Sequence, residues 1–191
     1  METTAQVMDD EVLLLAIGRG DHRAFTALME RHGAFAMTLA MRMTGNAQDA
    51  EEVAQEAFLR VWSAAGRWSP GVARFTTWLY RVVVNLCLDR KRRAPMLAID
   101  DVAEPADDRP SGLDACSSEQ ARGLVAEALE SLPERQRAAV SLCYYGEVSC
   151  QEAADILEVS LSALESLLVR GRRGLRDYFS GRGLEKMGDV L

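Results

Sequence analysis

Apolar residues recur at intervals of three and four along most of the 191-residue chain, and one stretch, residues 95–117, breaks this pattern. Such intervals place the apolar side chains on one face of an α-helix, which packs that face against other helices. The interrupting stretch contains three prolines and no helical periodicity. We therefore predict an all-α fold of two small helical domains, residues 1–94 and 118–191, joined by a flexible acidic linker over residues 95–117.

Charge is distributed unevenly along the chain, whose formal net charge is −7. Residues 95–119 hold seven Asp and Glu against one Lys or Arg, so most of the acidity lies in and beside the linker. The domains contain two basic clusters, Arg90 to Arg93 and the set Arg170, Arg172, Arg173 and Arg176. Focused basic clusters in an otherwise acidic chain are typical of surfaces that bind nucleic acid.

Composition excludes several classes of protein. A hydrophobic fraction of 48% excludes a wholly disordered chain. No apolar run approaches the ~20 residues of a membrane span, and the acidic N-terminus lacks the basic start of a secretory signal. We therefore expect a cytoplasmic protein that does not insert into a membrane. The four cysteines have no CxxC spacing and the chain has two histidines, so we expect free thiols, no metal site and no cofactor.

The first domain is predicted to contain four helices, with Asp21 and Asn46 capping the second and third and Gly45 ending the second. The fourth should run from Phe75 to Arg93. Beside its apolar face Thr77, Arg81 and Asn85 recur every four residues, and Trp68 and Tyr80 are candidate platforms for an unstacked base. The basic cluster at its end fits DNA contact and a solvated helix terminus equally well.

The second domain has the pattern of a helix-turn-helix. Ser131 and Ser149 are each followed three residues later by an acid, which predicts a capping box at two helix starts. A short helix over residues 150–157, a turn at Val159 and Ser160, and a long helix over residues 161–179 follow. A generic helical hairpin has the same periodicity, and the arginine cluster on the long helix favours DNA binding.

Three segments resemble one family in particular. The sequences are DAEEVAQEAFLRVW from Asp49 to Trp62, FTTWLYRVVVNLCLDRKRR from Phe75 to Arg93, and LPERQR from Leu132 to Arg137. The first two resemble region 2, and the third with its helix-turn-helix resembles region 4, of the extracytoplasmic-function (ECF, group 4) sigma factors of bacterial RNA polymerase. The resemblance covers residues 20–94 and 118–180 in the family's order.

The resemblance implies a non-enzymatic protein that binds core RNA polymerase, recognises promoter DNA and is held inactive by an anti-sigma factor until a stress signal. It implies contact with the clamp helices of the largest subunit and with the flap region. The clamp helices would bind the docking face, which comprises Asp49, Glu52, Gln55, Glu56 and Leu59. The minus-ten element would be melted and held by the minus-ten residues, which are Trp68, Arg74, Thr77, Arg81, Asn85, Arg90, Lys91 and Arg92. The linker would thread toward the RNA path.

Region 4 of the family recognises the minus-thirty-five element. The matching minus-thirty-five residues are Ser162, Glu165, Ser166, Val169, Arg170, Arg172 and Arg173. Family members often carry Lys, Arg or His at the base-reading positions, whereas this chain has Ala163, Glu165, Ser166, Leu167 and Val169 there. A glutamate can accept a hydrogen bond from a cytosine amine, so we expect an unusual promoter sequence.

Other functions remain open from the residues alone. A stand-alone helix-turn-helix transcriptional regulator explains the second domain but gives the first no role. An anti-sigma decoy with a sigma fold does not need both basic clusters. An enzyme lacks support, since the sequence contains no Ser/His/Asp set and no P-loop.

Overall fold

The computed structural model describes residues 9–69, 71, 74–93, 123–145 and 148–184, without the side chains of Lys91 and Arg93. All regular secondary structure in these ranges is α-helical, which confirms the predicted fold class. The predicted linker, residues 95–117, lies outside them. Within the same ranges no helix has both the length and the apolarity to cross a bilayer.

The first domain contains α1 (Asp10–Ile17), α2 (His22–Thr44), α3 (Ala47–Ala65) and α4 (Phe75–Arg93). The predicted caps are confirmed. The Asp21 carboxylate accepts from the amides of Arg23 at 2.8 Å and Ala24 at 3.2 Å, and the Asn46 side chain accepts from the Asp49 amide at 3.1 Å. Gly45 ends α2 in the left-handed conformation, with φ of 73°. Local sequence therefore sets where these helices begin and end.

The core of the first domain lies around α2, which packs against α1, α3 and α4. The fully buried side chains that fill it include Leu14, Leu28, Leu39, Val61, Leu79 and Val83. Their burial fixes the rotation of α3 and α4, because each helix must turn its apolar face toward α2. The polar residues between the apolar positions are consequently directed outward, and these are the residues that the sequence pattern assigns to function.

The second domain contains α5 (described over 123–130), α6 (Glu134–Tyr145), α7 (Cys150–Leu157) and α8 (Leu161–Ser180). On α8 the buried positions form one stripe that packs against α6, and they are Leu164, Leu168, Gly171, Leu175 and Phe179. A Cβ atom on Gly171 would lie 2.7 Å from Cγ2 of Val140, so glycine permits the close approach of α6 and α8. The opposite face of α8 is left in solvent.

One of the two predicted capping boxes is wrong. The Ser131 hydroxyl donates to the Ala128 carbonyl at 2.6 Å, and α6 begins only at Glu134. The other is confirmed, because the Ser149 hydroxyl accepts from the Glu152 amide at 3.2 Å while the Glu152 carboxylate accepts from the Ser149 amide at 2.8 Å. Ser131 instead caps the end of the preceding helix, since its hydroxyl satisfies a carbonyl there.

Among the described residues, the helix pairs that join the two domains include α2 on α6 and α4 on α7. At the first, the buried Arg137 donates to the Met43 carbonyl at 2.9 Å and also to the carbonyls of Glu130 and Leu132. Three carbonyl partners compensate the desolvation of this guanidinium, although burial still lowers the pKa of Arg137. Beside it the Arg42 guanidinium lies 3.7 Å from the Tyr145 ring centroid. No sequence pattern predicted this packing.

Candidate polymerase and nucleic-acid interfaces

The docking face lies on the solvent side of α3. Its members at positions 52, 55, 56 and 59 are spaced by three and four residues, which places them on one helix face. Leu59 is 61% exposed and is the most exposed large hydrophobic residue of the described ranges. An exposed leucine beside carboxylates is suited to a partner that offers both an apolar and a basic surface.

Arg90 of α4 is paired with the docking face. Its guanidinium lies 2.7 Å from a carboxylate oxygen of Asp49 and 2.7 Å from one of Glu52. The hydrogen bond to Glu52, together with the nearby Asp49 charge, raises the pKa of Arg90. A cleft of about 220 Å³ lies between α3 and α4 at this point. The structure thus brings together a predicted minus-ten residue and two predicted polymerase-binding residues.

Trp68 lies in an aromatic cluster at the start of the loop between α3 and α4. Its ring makes edge contacts with Phe75 and Trp78, at centroid distances of 6.0 and 5.8 Å. Its indole Nε1 is buried and has no hydrogen-bond acceptor among the residues that the structure describes. A buried donor without a partner is uncommon in a folded protein.

Tyr80, the second candidate platform, is not available to a base. It is 7% exposed, and its ring centroid lies 4.3 Å from that of Phe35 on α2. Sequence periodicity missed this burial because α4 packs against α2, α3 and α7 and therefore buries more than one face. The expectation for Tyr80 is wrong.

Three of the predicted minus-ten residues face the second domain. Arg74 pairs with Glu152 of α7. Arg81 donates to the Asp155 carbonyl at 2.5 Å and lies 3.3 Å from the Glu158 carboxylate. These side chains and Thr77 line a cavity of about 440 Å³ between α4 and α7. The bonds of Ser149 and the charge of Arg74 lower the pKa of Glu152, which keeps this carboxylate ionised beside the arginine.

The remaining minus-ten residues lie further along α4. Asn85 is exposed and points to solvent, and Arg92 is exposed and lies 2.6 Å from the Asp89 carboxylate. The Lys91 side chain lies outside the described residues. The basic cluster therefore consists of residues with different surroundings, because Arg90 pairs with two carboxylates of α3 while Arg92 pairs with a carboxylate of its own helix.

The minus-thirty-five residues form a continuous exposed surface on α8. Ser162, Glu165, Ser166 and Val169 are exposed over the first two and a half turns, with Val169 at 58%. The exposed arginines at positions 170, 172, 173 and 176 follow. Arg173 has an acidic neighbour, Asp177, at 3.9 Å. Polar and small apolar groups thus come first and cations second, which is the order of a helix that reads bases near its start and contacts phosphates further along.

Three of the four cysteines lie in the described ranges, and none of the three forms a disulfide. Cys143 is half-buried at the end of α6, close to Cys150 at the start of α7. Burial, with a smaller contribution from Cys150, raises the pKa of Cys143 to about 12. Such a thiol remains protonated at neutral pH, which disfavours reaction with oxidants. Cys116 lies outside the described residues.

An all-α pair of domains, in which the second carries a helix-turn-helix with an exposed basic recognition helix, defines a DNA-binding protein. Residues 28–95 match the family description Sigma-70 region 2, and residues 122–175 match Sigma-70, region 4. The chain is 34% identical to the ECF RNA polymerase sigma factor SigM of Mycobacterium tuberculosis, over 87% of this chain and 82% of that protein. The chain belongs to the ECF sigma factors of RNA polymerase.

Two further comparisons agree with this family assignment. The chain is 34% identical to the ECF RNA polymerase sigma factor SigE of Mycolicibacterium smegmatis, over 87% of this chain and 66% of that protein. The solved structure of CnrH in complex with the cytosolic domain of CnrY has a TM-score of 0.68 and 28% identity, covering 90% of this chain and 97% of that one. The match to region 2 gives the first domain a role. The alternative function, a stand-alone helix-turn-helix regulator, gives that domain none.

Proposed function

We propose that this chain binds core RNA polymerase in the cytoplasm and directs it to specific promoters, with no catalytic activity of its own. One observation carries this function. The chain matches regions 2 and 4 in the family's order, and an acidic face on α3 and an exposed arginine row on α8 support the roles proposed for the two domains.

Co-purification with core RNA polymerase followed by run-off transcription tests this function. We expect the full chain to assemble with core enzyme and to produce transcripts from a small set of promoters. A stand-alone regulator would bind duplex DNA as a symmetric dimer without polymerase. Binding to DNA in the absence of any association with core enzyme would therefore contradict the proposal.

We propose that Trp68 and Arg74 act in promoter melting, after a base has left the stack. Replacing both with alanine should leave the closed complex near normal. Open complex should fall by about 5- to 150-fold, because stacking of a base on an aromatic ring stabilises it by ~1–3 kcal/mol. Permanganate footprinting detects the unpaired thymines directly.

The controls for this prediction follow from the surroundings of Trp68. Since its ring packs on Phe75 and Trp78, thermal unfolding of the variant must be compared with that of the wild type. Arg19→Ala, which removes another exposed arginine of the first domain, should leave both complexes unchanged. Equal losses of closed and open complex would indicate damage to the fold and no role in melting.

We propose that Glu165 reads one base pair of the minus-thirty-five element. It is exposed on the second turn of α8, ahead of the arginines, where a recognition helix reaches base edges. Glu165→Gln should change the preference at one position by ~1–3 kcal/mol and leave the salt dependence of binding nearly unchanged. Selection of bound promoters from a randomised minus-thirty-five library, with wild-type and variant holoenzymes, measures this.

The competing role for Glu165 is purely electrostatic, since it precedes Arg170 by about one turn and a half on the same helix. In that case the variant would bind all sequences more tightly and select the same ones. Identical sequence preferences of the two holoenzymes would overturn the base-reading role.

We also propose that a protein inhibitor of the anti-sigma class holds the chain inactive. This proposal is supported by the family and by the likeness to CnrH, whose structure contains the cytosolic domain of CnrY. An apolar groove of about 580 Å³ between α2 and the second domain offers such a partner a binding surface. Co-expression with a candidate inhibitor should abolish association with core polymerase, as measured by co-purification.

A further inference from the structure

Helix α1 reaches the start of the segment that carries Trp68 and Arg74, here called the minus-ten loop, whose described residues are 66–69, 71 and 74. A Cβ atom on Gly18, which follows α1, would lie 2.9 Å from the Ala65 carbonyl oxygen and 3.0 Å from Cα of Gly66. Backbone atoms cannot move aside as a flexible side chain can, so glycine permits this approach. The end of α1 therefore rests on the end of α3.

A carboxylate of α1 holds the middle of the minus-ten loop. The Gly71 amide donates a hydrogen bond to Oε1 of Glu11 at 3.2 Å, although the two residues are 60 positions apart. Glu11 lies in the first turn of α1, and Asp9 caps that turn by accepting from the Glu11 amide at 3.4 Å. The helix itself is anchored, because Leu13, Leu14 and Ile17 are buried. Glu11 thus presents its carboxylate from a fixed support.

The end of the minus-ten loop is connected to α1 through α2. The Asp10 carboxylate lies 2.5 Å from the Arg31 guanidinium and 2.8 Å from Nε2 of His32. His32 is buried, and its ring centroid lies 5.3 Å from that of Phe75, the first residue of α4. Phe75 in turn makes the edge contact with Trp68. Asp10 therefore fixes the imidazole on which the aromatic cluster around Trp68 packs.

The family match assigns no role to α1. The match to Sigma-70 region 2 begins at residue 28, whereas α1 spans Asp10–Ile17. Its three connections nevertheless converge on one loop, at the start, the middle and the end. A loop that is already ordered loses less conformational freedom when it captures a ligand, so its affinity for that ligand is higher.

We propose that Glu11 is a positioning residue for promoter melting, because it holds the Gly71 amide and orders the minus-ten loop before an unstacked base arrives. This inference rests on the proposed role of Trp68 and Arg74 in melting. A carboxylate repels the phosphates of DNA, so Glu11 acts through the loop and without touching the nucleic acid. As an ionised acceptor it holds a backbone amide more strongly than a neutral group does.

Two variants of Glu11 separate its hydrogen bond from its charge. Glu11→Ala removes both, and Glu11→Gln removes the charge but keeps a side-chain oxygen that can accept from the Gly71 amide. An acid in the first turn also stabilises a helix through the helix dipole, and loss of that effect would affect both variants equally. Glu30→Ala removes an exposed carboxylate of α2 and is the matched control.

The first measurement is promoter opening by holoenzyme assembled from each full-length variant, on a promoter identified by run-off transcription. Permanganate footprinting should show about twofold to tenfold less open complex with Glu11→Ala, the effect of one lost hydrogen bond. The closed complex should be unchanged. Glu11→Gln and Glu30→Ala should open the promoter as the wild type does.

A second measurement shows whether Glu11 acts on the capture of a base. Abasic sites are placed one at a time along the nontemplate strand of the minus-ten element, and the affinity of holoenzyme for each DNA is measured by anisotropy. Glu11→Ala should bind more weakly than the wild type to every DNA except the one that lacks the captured base. On that DNA the two holoenzymes should bind equally. General destabilisation of the first domain would instead weaken binding to every DNA by the same factor.

The outcomes separate this inference from the function on which it rests. Normal opening by Glu11→Ala, when Trp68→Ala/Arg74→Ala is defective, would overturn the positioning role of Glu11 alone. Equal defects of Glu11→Ala and Glu11→Gln, or a uniform loss across the abasic series, would overturn it as well. Normal opening by Trp68→Ala/Arg74→Ala would overturn the melting role of the loop, and the inference with it.

Discussion

Replacing both Glu52 and Glu56 with arginine is expected to abolish assembly with core RNA polymerase and to leave the first domain folded. Both carboxylates lie on the solvent side of α3, away from the buried stripe that contains Val53 and Ala57. The double change converts two negative charges into two positive ones at the docking face. Like charges facing each other across an interface cost several kcal/mol, which corresponds to a loss of affinity of at least about 100-fold.

Titration of the fluorescently labelled chain with core enzyme, with anisotropy as the signal, measures this loss of affinity. The structure adds a complication, because an arginine at position 52 would repel Arg90, which lies 2.7 Å from the Glu52 carboxylate. The variant Glu52→Arg/Arg90→Glu exchanges the two charges and restores that pair, so it tests whether local repulsion explains the loss. Glu30→Arg/Asp177→Arg makes the same change in net charge elsewhere and should assemble normally.

Unchanged affinity of the Glu52→Arg/Glu56→Arg variant for core enzyme would show that the polymerase binds a different surface. Loss of assembly accompanied by loss of helical circular dichroism would assign the effect to folding. The expected result is loss of assembly with an intact spectrum and an unchanged unfolding midpoint.

Neutralising Arg170 and Arg173 with glutamine should weaken binding of holoenzyme to duplex DNA similarly for every minus-thirty-five sequence. Both side chains are exposed near the middle of α8, after the predicted base-reading positions, where we expect the helix to pass the phosphate backbone. Two charge-assisted contacts at ~1.5 kcal/mol each predict a loss of roughly 100-fold. The slope of log affinity against log salt should become shallower by about 1.8, since each lost phosphate contact removes ~0.9.

Binding measured between about 50 and 200 mM salt on several promoter sequences tests both the uniform loss of affinity and the shallower salt dependence. Arg19→Gln/Arg23→Gln removes two exposed arginines of the first domain and is the matched control, which should leave the minus-thirty-five contribution unchanged. A loss confined to one promoter sequence would mean that these arginines read bases. A slope equal to that of the wild type would mean that they do not contact phosphates.

Helix positions and their caps could be predicted because they depend on residues close together in the chain. Asp21, Asn46 and Ser149 cap the helices that follow them, and Gly45 ends α2 as its left-handed conformation requires. Ser131 shows the limit of such patterns. Its hydroxyl was free to bond backward to Ala128 or forward into α6, and the sequence alone does not distinguish these two partners.

The candidate surfaces were predictable for a related reason. The buried stripe of α8 leaves positions 162, 165, 166 and 169 exposed on the opposite side, and the arginines extend the same surface. The spacing of residues 52, 55, 56 and 59 likewise places them on one side of α3. An amphipathic helix determines which of its own residues are outward, because its periodicity is fixed by backbone geometry.

Which surfaces meet was decided only by the tertiary structure. Arg90 pairs with Asp49 and Glu52, 41 and 38 positions earlier, and Arg81 contacts Glu158, 77 positions later. Tyr80 is buried because three helices surround α4. Contacts of this kind depend on how helices are rotated and stacked, and a pattern with a period of 3.6 residues carries no information on that. The sequence by itself determined the helices and their outward faces. Tertiary packing decided that α7 lies over the arginines of α4, because pairing between distant residues follows from the shape of the whole chain.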